Sequence, residues 1–362
     1  IETAQASGLW RLQPEEYAYL TQTVLPRAKI GMTGQNRVWL AGNTLMGGIL
    51  LRDAALIDRA AEAIFAEVVV TGKEGIQPDY SFHQHGAQQQ FGNYGLSFAA
   101  DTAKWGEILR DTPWALPEAK RLLLRRYLLE GSVWTAWRGK LDISACGRQL
   151  SVNSPAAKAT TLSRVLAVMA RVDPEQAAAY TAAVARNAPG AANDLVGNRV
   201  FWRSDYLIHR RPAFCVTVKL SSARVIGVES LNSENLSGYY LADGACYLYR
   251  SGEEYAEIFP VWNWRQLPGV TCPQGAGPLP AFSRNNLPTA WVGGVSDGRN
   301  GGMAAEYTRL LGTPPAGQAE DRRLAAKKAW FCFDDQVVCL GAGITAGAAV
   351  ADPLLTTVNQ CL

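Results

Sequence analysis

The chain has 362 residues, 48% hydrophobic and 19% charged, the balance of a globular protein large enough for two domains and unlike that of a disordered chain. A formal net charge of +3 is too small for a general nucleic-acid binder, and no apolar run reaches the roughly 18 residues of a membrane-spanning helix. Seven cysteines without any Cys-x-x-Cys spacing argue against a zinc knuckle or a thioredoxin-like centre; Cys332 and Cys339, in an apolar stretch, read as buried free thiols.

The first half carries helical periodicity. Helices are expected at Pro14–Arg27, Asn36–Leu51, Gly95–Leu109 and Ser154–Arg171. Between Asp53 and Val70 the residues Leu56, Ala60, Ile64 and Val68 form one apolar stripe at i, i+4 spacing. Pro117 suits the first turn of a helix carrying Leu122, Leu123, Tyr127, Leu128 and Leu129. Asp173, Pro174 and Gln176 read as N-cap, first-turn proline and capping-box residue of an Ala-rich helix. Successive helices with short connections predict stacked antiparallel hairpins.

From about Gly197 the pattern changes to short β-rich runs separated by turn residues. Ala213–Lys219, Gly238–Leu241, Ala245–Tyr249, Ala290–Val295, Lys328–Phe333 and Gln336–Ala342 are the expected strands, with Asp334-Asp335 as a hairpin loop. The fold class expected is α+β: helical hairpins over residues 1–196, then an antiparallel β region over 197–362.

Polar chemistry concentrates at Pro78–Gly95, where His83 and His85, two of only three histidines, lie among Gln84, Gln88, Gln89, Gln90, Asn93 and Tyr94. A His-x-His pair without a nearby carboxylate pair is weak support for a metal, and a hydrogen-bonded structural loop is the plain alternative. Arg148 follows Gly147 in a loop; Glu229, Asn232, Glu234 and Asn235 form a polar cluster; Trp262 and Trp264 share one face if extended. No P-loop, Gly-x-Ser-x-Gly or dinucleotide fingerprint occurs.

Thr33-Gly34-Gln35-Asn36-Arg37, Pro78–Gly95, Gly147-Arg148-Gln149-Leu150-Ser151, Glu229–Asn235, Pro260–Thr271 and Thr356–Gln360, in that order, resemble sequence blocks of polysaccharide lyase family 8, which includes chondroitin AC, hyaluronate and xanthan lyases. The resemblance implies an incomplete α/α toroid followed by an antiparallel β-sandwich, and β-elimination at a uronic acid. It implies that Asn36 and His85 quench the substrate carboxylate. Tyr94 removes the C5 proton and returns it to the leaving oxygen, Arg148 assists its ionisation, and Glu229 holds the set together. His85, Tyr94, Arg148 and Glu229 are expected in one cleft between the helical and β halves. Asn232, Gln84 and Trp137 are the expected sugar contacts. An acidic polysaccharide is the expected partner, without nucleic acid or membrane, and the protein is expected to be secreted or periplasmic.

Two positions depart from the family. Val152 stands where members carry a second arginine. Asn263, Arg265 and Gln274 stand where chondroitin AC lyases hold calcium, so no metal or other cofactor is expected. Members are considerably longer, so the chain is expected to be the central part of the family's length; either a missing or separate segment, such as a second chain, supplies the rest of the toroid, which is the favoured reading, or the toroid is reduced and has a polar edge. A non-catalytic carbohydrate-binding relative is the alternative. A glycoside hydrolase ranks last, because it needs two carboxylates and Glu229 is the one prominent acid of the candidate set.

Overall fold

The computed structural model describes residues 12–311 and 322–362; positions 1–11 of the expected helical region lie outside the described residues. Seven α-helices come first among the described residues: α1 (Pro14–Tyr19), α2 (Gly34–Leu51), α3 (Ala54–Ala66), α4 (Tyr94–Ile108), α5 (Glu118–Arg126), α6 (Ser154–Val172) and α7 (Ala177–Arg186). The local causes are visible. Asp53 caps α3 by accepting the Leu56 amide at 3.0 Å, and the stripe residues Ala60 and Ile64 are fully buried. A β-carbon at Gly48 would sit 2.8 Å from Ile57, so glycine there lets α2 and α3 close into a hairpin. Helix α4 packs on α6, and α6 on α7.

Asp173 does not cap α7. Its fully buried carboxylate accepts from Arg121, from Arg125 Nε and Nη2, both at 2.7 Å, and from Tyr180 Oη at 2.9 Å. Two guanidinium groups from α5 outcompete backbone amides for the same oxygens, and α7 begins only at Ala177 after a 3₁₀ turn.

Short ribbons β1 (Gly75–Ile76) with β2 (Phe82–His83), and β3 (Ala136–Trp137) with β4 (Lys140–Leu141), decorate the helices. The strands that follow are β5 (Gly197–Phe201), β6 (Tyr206–Arg210), β7 (Cys215–Lys219), β8 (Val228–Glu229), β9 (Ala245–Tyr249), β10 (Thr271–Pro273), β11 (Arg284–Asn285), β12 (Val292–Ser296), β13 (Gly301–Leu310), β14 (Arg323–Phe333), β15 (Gln336–Ala346) and β16 (Leu354–Thr356). Two antiparallel four-stranded sheets, ordered β5-β6-β7-β9 and β12-β13-β14-β15, enclose a core that includes Leu207, Val218, Val292, Met303 and Trp330. Burial alternates along β14 with period two, as expected of a sheet with one face inward. Phe333 pairs with Gln336 across the loop Asp334-Asp335, with Asp334 at φ +41°.

Gly238–Leu241 is a turn, not a strand: Tyr239 and Tyr240 pack edge-to-face at 4.9 Å and are buried without entering a ladder. The segment 261–264 is also outside any strand. Trp262 is buried in the core, and the partly buried Trp264 packs against it at 5.3 Å.

The helical and β parts share the largest hydrophobic core. At their seam the buried Asp142 carboxyl accepts from Tyr206 Oη (2.7 Å), Tyr249 Oη (2.7 Å) and Thr217 Oγ1 (2.8 Å). Burial pushes its pKa up, and the three hydroxyl donors only partly counter that. Among the described residues no helix is long and apolar enough to cross a membrane.

Candidate active site

The site begins at the N-terminus of α2. Gly34 has φ +57°, and a β-carbon there would lie 2.2 Å from Gln84 Oε1; only glycine allows that oxygen to reach the Gln35 amide at 3.1 Å. Asn36 is half-buried in the first turn, three residues before Trp39 and so on the same helix face. The loop after β2 turns sharply, with His85 at φ +61° and Gly86 at φ +88°. It is closed by bonds from the Gln90 amide to Phe82 O (2.9 Å) and from the Gly95 amide to Gln90 O (2.8 Å). This closure launches α4 with Tyr94 as its first residue.

The Tyr94 ring sits 5.8 Å from Trp39 and 4.6 Å, edge-on, from His85, and the Arg148 guanidinium lies 5.7 Å from its centre. Arg148 is nearly buried. It donates through Nη1 to Glu229 Oε1 and through Nε to Glu234 Oε2, each at 2.5 Å. Burial works against its charge, but hydrogen bonds with Tyr94, Glu229 and Glu234 more than offset that, so the guanidinium is held charged.

Glu229 comes from β8, 144 positions after His85. It is 2% exposed, meets His85 Nδ1 through Oε2 at 2.8 Å, and accepts from Gln90 Nε2 at 3.1 Å through Oε1. His85, Tyr94, Arg148 and Glu229 are thus brought together where helices and strands meet. Of these four, Arg148 lines a cleft of about 960 Å³ whose walls also include Trp39, Asn93, Asp101, Val152, Lys158 and Glu234.

The expected sugar contacts fare differently. Asn232 is exposed at φ +56° in the turn that delivers Ser233 and Glu234 to the cleft. Gln84 is 1% exposed and its amide is consumed by the Gln35 amide and Glu74, so it is a structural strut without a free face for sugar. Trp137 does not reach the cleft: its indole is buried in β3, donates to Arg250 O at 3.0 Å, and has the guanidinium groups of Arg138 and Arg210 within 5.1 and 5.2 Å of its ring centre. A carbonyl partner made its burial inexpensive.

His83 points elsewhere than His85. Its Nε2 meets Ser204 Oγ at 3.0 Å, and burial, with Arg203 and Lys219 nearby, lowers its pKa to about 3. Among the described residues no three His, Cys, Asp or Glu side chains gather as metal ligands would. Asn263 Oδ1 accepts the Arg265 amide, and Gln274 Oε1 accepts from Gln266.

The sequence reading missed Trp39, Gln90 and Lys158 as site residues. Trp39 was signalled by its i+3 spacing from Asn36. Lys158, in the interior of α6, gave no signal; its ammonium donates to Gly92 O and, at 2.8 Å, to Gln149 Oε1, tying together the chain just before Tyr94 and just after Arg148.

Residues 4–186 match the family described as polysaccharide lyase family 8, N terminal alpha-helical domain, and residues 196–362 match its super-sandwich domain. Similar curated proteins include chondroitinase-AC of Pedobacter heparinus, 35% identical over 91% of this chain and 46% of its own length. Hyaluronate lyase of Thermasporomyces composti is 28% identical over 91% and 46%, and xanthan lyase of a Bacillus species 27% over 91% and 38%. A solved chondroitinase AC lyase superposes with a TM-score of 0.81 at 32% identity, over 91% of this chain and 48% of that one. The chain therefore spans about half the length of the curated relatives it matches.

Proposed function

The chain belongs to polysaccharide lyase family 8, and from that premise we propose that it cleaves an acidic, uronate-containing polysaccharide by β-elimination, with Tyr94 as general base and acid. The observation that carries this is the placement of the Tyr94 ring against both His85 and Arg148, with Glu229 binding the latter two.

The C5 proton of a uronate is weakly acidic because its removal adds charge beside a carboxylate. Asn36 and the imidazolium form of His85 offset that charge by hydrogen-bonding the carboxylate, His85 donating from Nε2 to the substrate and from Nδ1 to Glu229. A phenol acts as a base only as its phenolate, and Arg148, held charged beside the Tyr94 ring, is the cation that would balance that charge. Tyr94 takes the C5 proton, the C4–O bond breaks as the C4–C5 double bond forms, and Tyr94 returns the proton to the departing oxygen. Glu229 and Glu234 fix Arg148, and Asn232 lies in the turn that carries Glu234 to the cleft. A polymeric anion does not cross a bilayer unaided, which supports a secreted or periplasmic protein.

A second reading rests on one contact. With the proton on Nδ1 facing Glu229 at 2.8 Å, the Nε2 lone pair of His85 is itself oriented as a base. Incubation with a panel of uronate polysaccharides tests both. Elimination raises ultraviolet absorbance as the unsaturated uronate forms, hydrolysis yields reducing ends without it, and a binding protein yields neither. Tyr94→Phe abolishes the signal if Tyr94 is the base, and the variant stays folded because only a hydroxyl is removed. Substantial residual elimination would transfer the role to His85.

A further inference from the structure

We propose that Glu74, which is outside the reacting set, is the positioning residue that fixes Asn36 and His85 relative to one another; this rests on the elimination proposed for the site. Glu74 lies in the bend before β1 and is half-buried. Its Oε2 accepts from Thr33 Oγ1 and from Gln84 Nε2, each at 2.6 Å, and its Oε1 accepts from the Gly86 amide at 3.0 Å. Bonds to an ionised acceptor at these lengths are strong and directional.

The donors come from two separate pieces of chain. Thr33 immediately precedes α2 and lies three residues before Asn36. Gln84 and Gly86 flank His85 on both sides. Gln84 closes the triangle by accepting the Gln35 amide. One carboxylate thus holds the two segments that must present their donors to the same substrate carboxylate. His85 itself sits at φ +61°, a left-handed backbone that a residue with a β-carbon adopts at a cost, and the bond from the next amide to Glu74 holds it there. The residue that ends α3 adds a parallel tie: Glu67 Oε2 accepts the Gly34 amide at 2.7 Å. Nothing in the elimination requires Glu74 to touch the sugar.

Steady-state kinetics of Glu74→Ala and Glu74→Gln on a polymer that the wild-type protein cleaves tests this. A displacement of the order of 1 Å at such a site lowers turnover by about 100-fold. Glu74→Ala is expected to lose about that much in kcat while KM stays within about 3-fold, with unchanged circular dichroism. Glu74→Gln keeps one oxygen for Thr33 and Gln84 but loses the Gly86 bond, and falls between. A kcat for Glu74→Ala close to wild type overturns the inference, as does a loss that merely tracks the unfolded fraction, or a Gln variant as impaired as Ala. A wild-type protein that forms no unsaturated product on any uronate polymer refutes the elimination itself, a distinct failure that also removes this inference.

Discussion

Replacing Glu229 by glutamine separates the two candidate bases. The side chain is 2% exposed and receives Arg148 at 2.5 Å, His85 at 2.8 Å and Gln90 at 3.1 Å. Arg148 carries donors only, so the introduced amide must turn its oxygen toward Arg148 and its NH₂ toward His85. His85 then accepts at Nδ1 and carries its proton on Nε2. If Tyr94 is the base, His85 still presents an Nε2 donor to the substrate carboxylate, now without the imidazolium charge, and kcat falls through that lost charge and loosened geometry by about 10–100-fold. If His85 is the base, its lone pair now points the wrong way, and a wrong-tautomer penalty of about 10⁴-fold applies. Stability falls in either case. Breaking one side of a buried ion pair costs about 3–5 kcal/mol, and the surviving Glu234 bond to Arg148 brings that to about 2–3 kcal/mol. For a chain of 362 residues this lowers Tm by about 3–4 °C. Absorbance kinetics and calorimetry on Glu229→Gln measure both quantities. A variant with wild-type kcat and an unshifted Tm refutes the reasoning about Glu229 altogether.

Gly34→Ala forces a β-carbon against Gln84 at φ +57° and is expected to cost about 1–3 kcal/mol and to lower kcat, read by urea denaturation and absorbance kinetics; an unchanged midpoint counts against it. His83 has its pKa lowered to about 3 by burial, so between the unfolded value of 6.5 and about 3 the unfolded chain binds the extra proton. Its contribution to stability is complete above pH 6.5 and is lost as pH falls through that window, by about 5 kcal/mol; urea midpoints of wild type and His83→Gln should converge toward acid pH. Cys339 is exposed, not buried as expected of its apolar stretch, and its thiol is lowered to about 7 by a hydrogen bond with Cys246, with Lys328 adding to the effect against partial desolvation. Iodoacetamide near neutral pH should therefore alkylate Cys339 first, and peptide mass mapping that finds Cys361 ahead of it would contradict this.

Helix limits were legible where side chains set them. The expected Asn36–Leu51 and Ser154–Arg171 match the observed Gly34–Leu51 and Ser154–Val172 closely, because the apolar stripes and Pro155 act locally. Strands were legible where β-branched or aromatic runs ended in turn residues, as at Ala245–Tyr249 and across Asp334-Asp335. Strands β6 and β13 went unread. Tyr206–Arg210 hides a histidine and an arginine that are buried only because distant groups satisfy them, and Gly301–Leu310 opens on glycines. Gly238–Leu241 erred in the opposite sense, since tyrosines that favour strands also favour any buried surface. In the site, the family-like blocks named residues that the structure brings together. They could not reveal that Gln84 and Trp137 are consumed internally, because whether a polar or aromatic side chain keeps a free face depends on partners as distant as Arg250.

The Asp142 seam has a consequence for how the molecule assembles. Its three hydroxyl partners lie 64, 75 and 107 positions further along the chain, so each bond closes a long loop before it is made. Contacts of such sequence separation form late and slowly. Until strands β6, β7 and β9 have arrived, the helical half carries an acid shaped for burial with no donors to receive it. Severing the chain near Gly197 would thus not release two self-sufficient modules. The excised helices would be left with an unfilled polar socket, and chimaeras joining halves of different relatives would need to carry Asp142, Tyr206, Thr217 and Tyr249 across together.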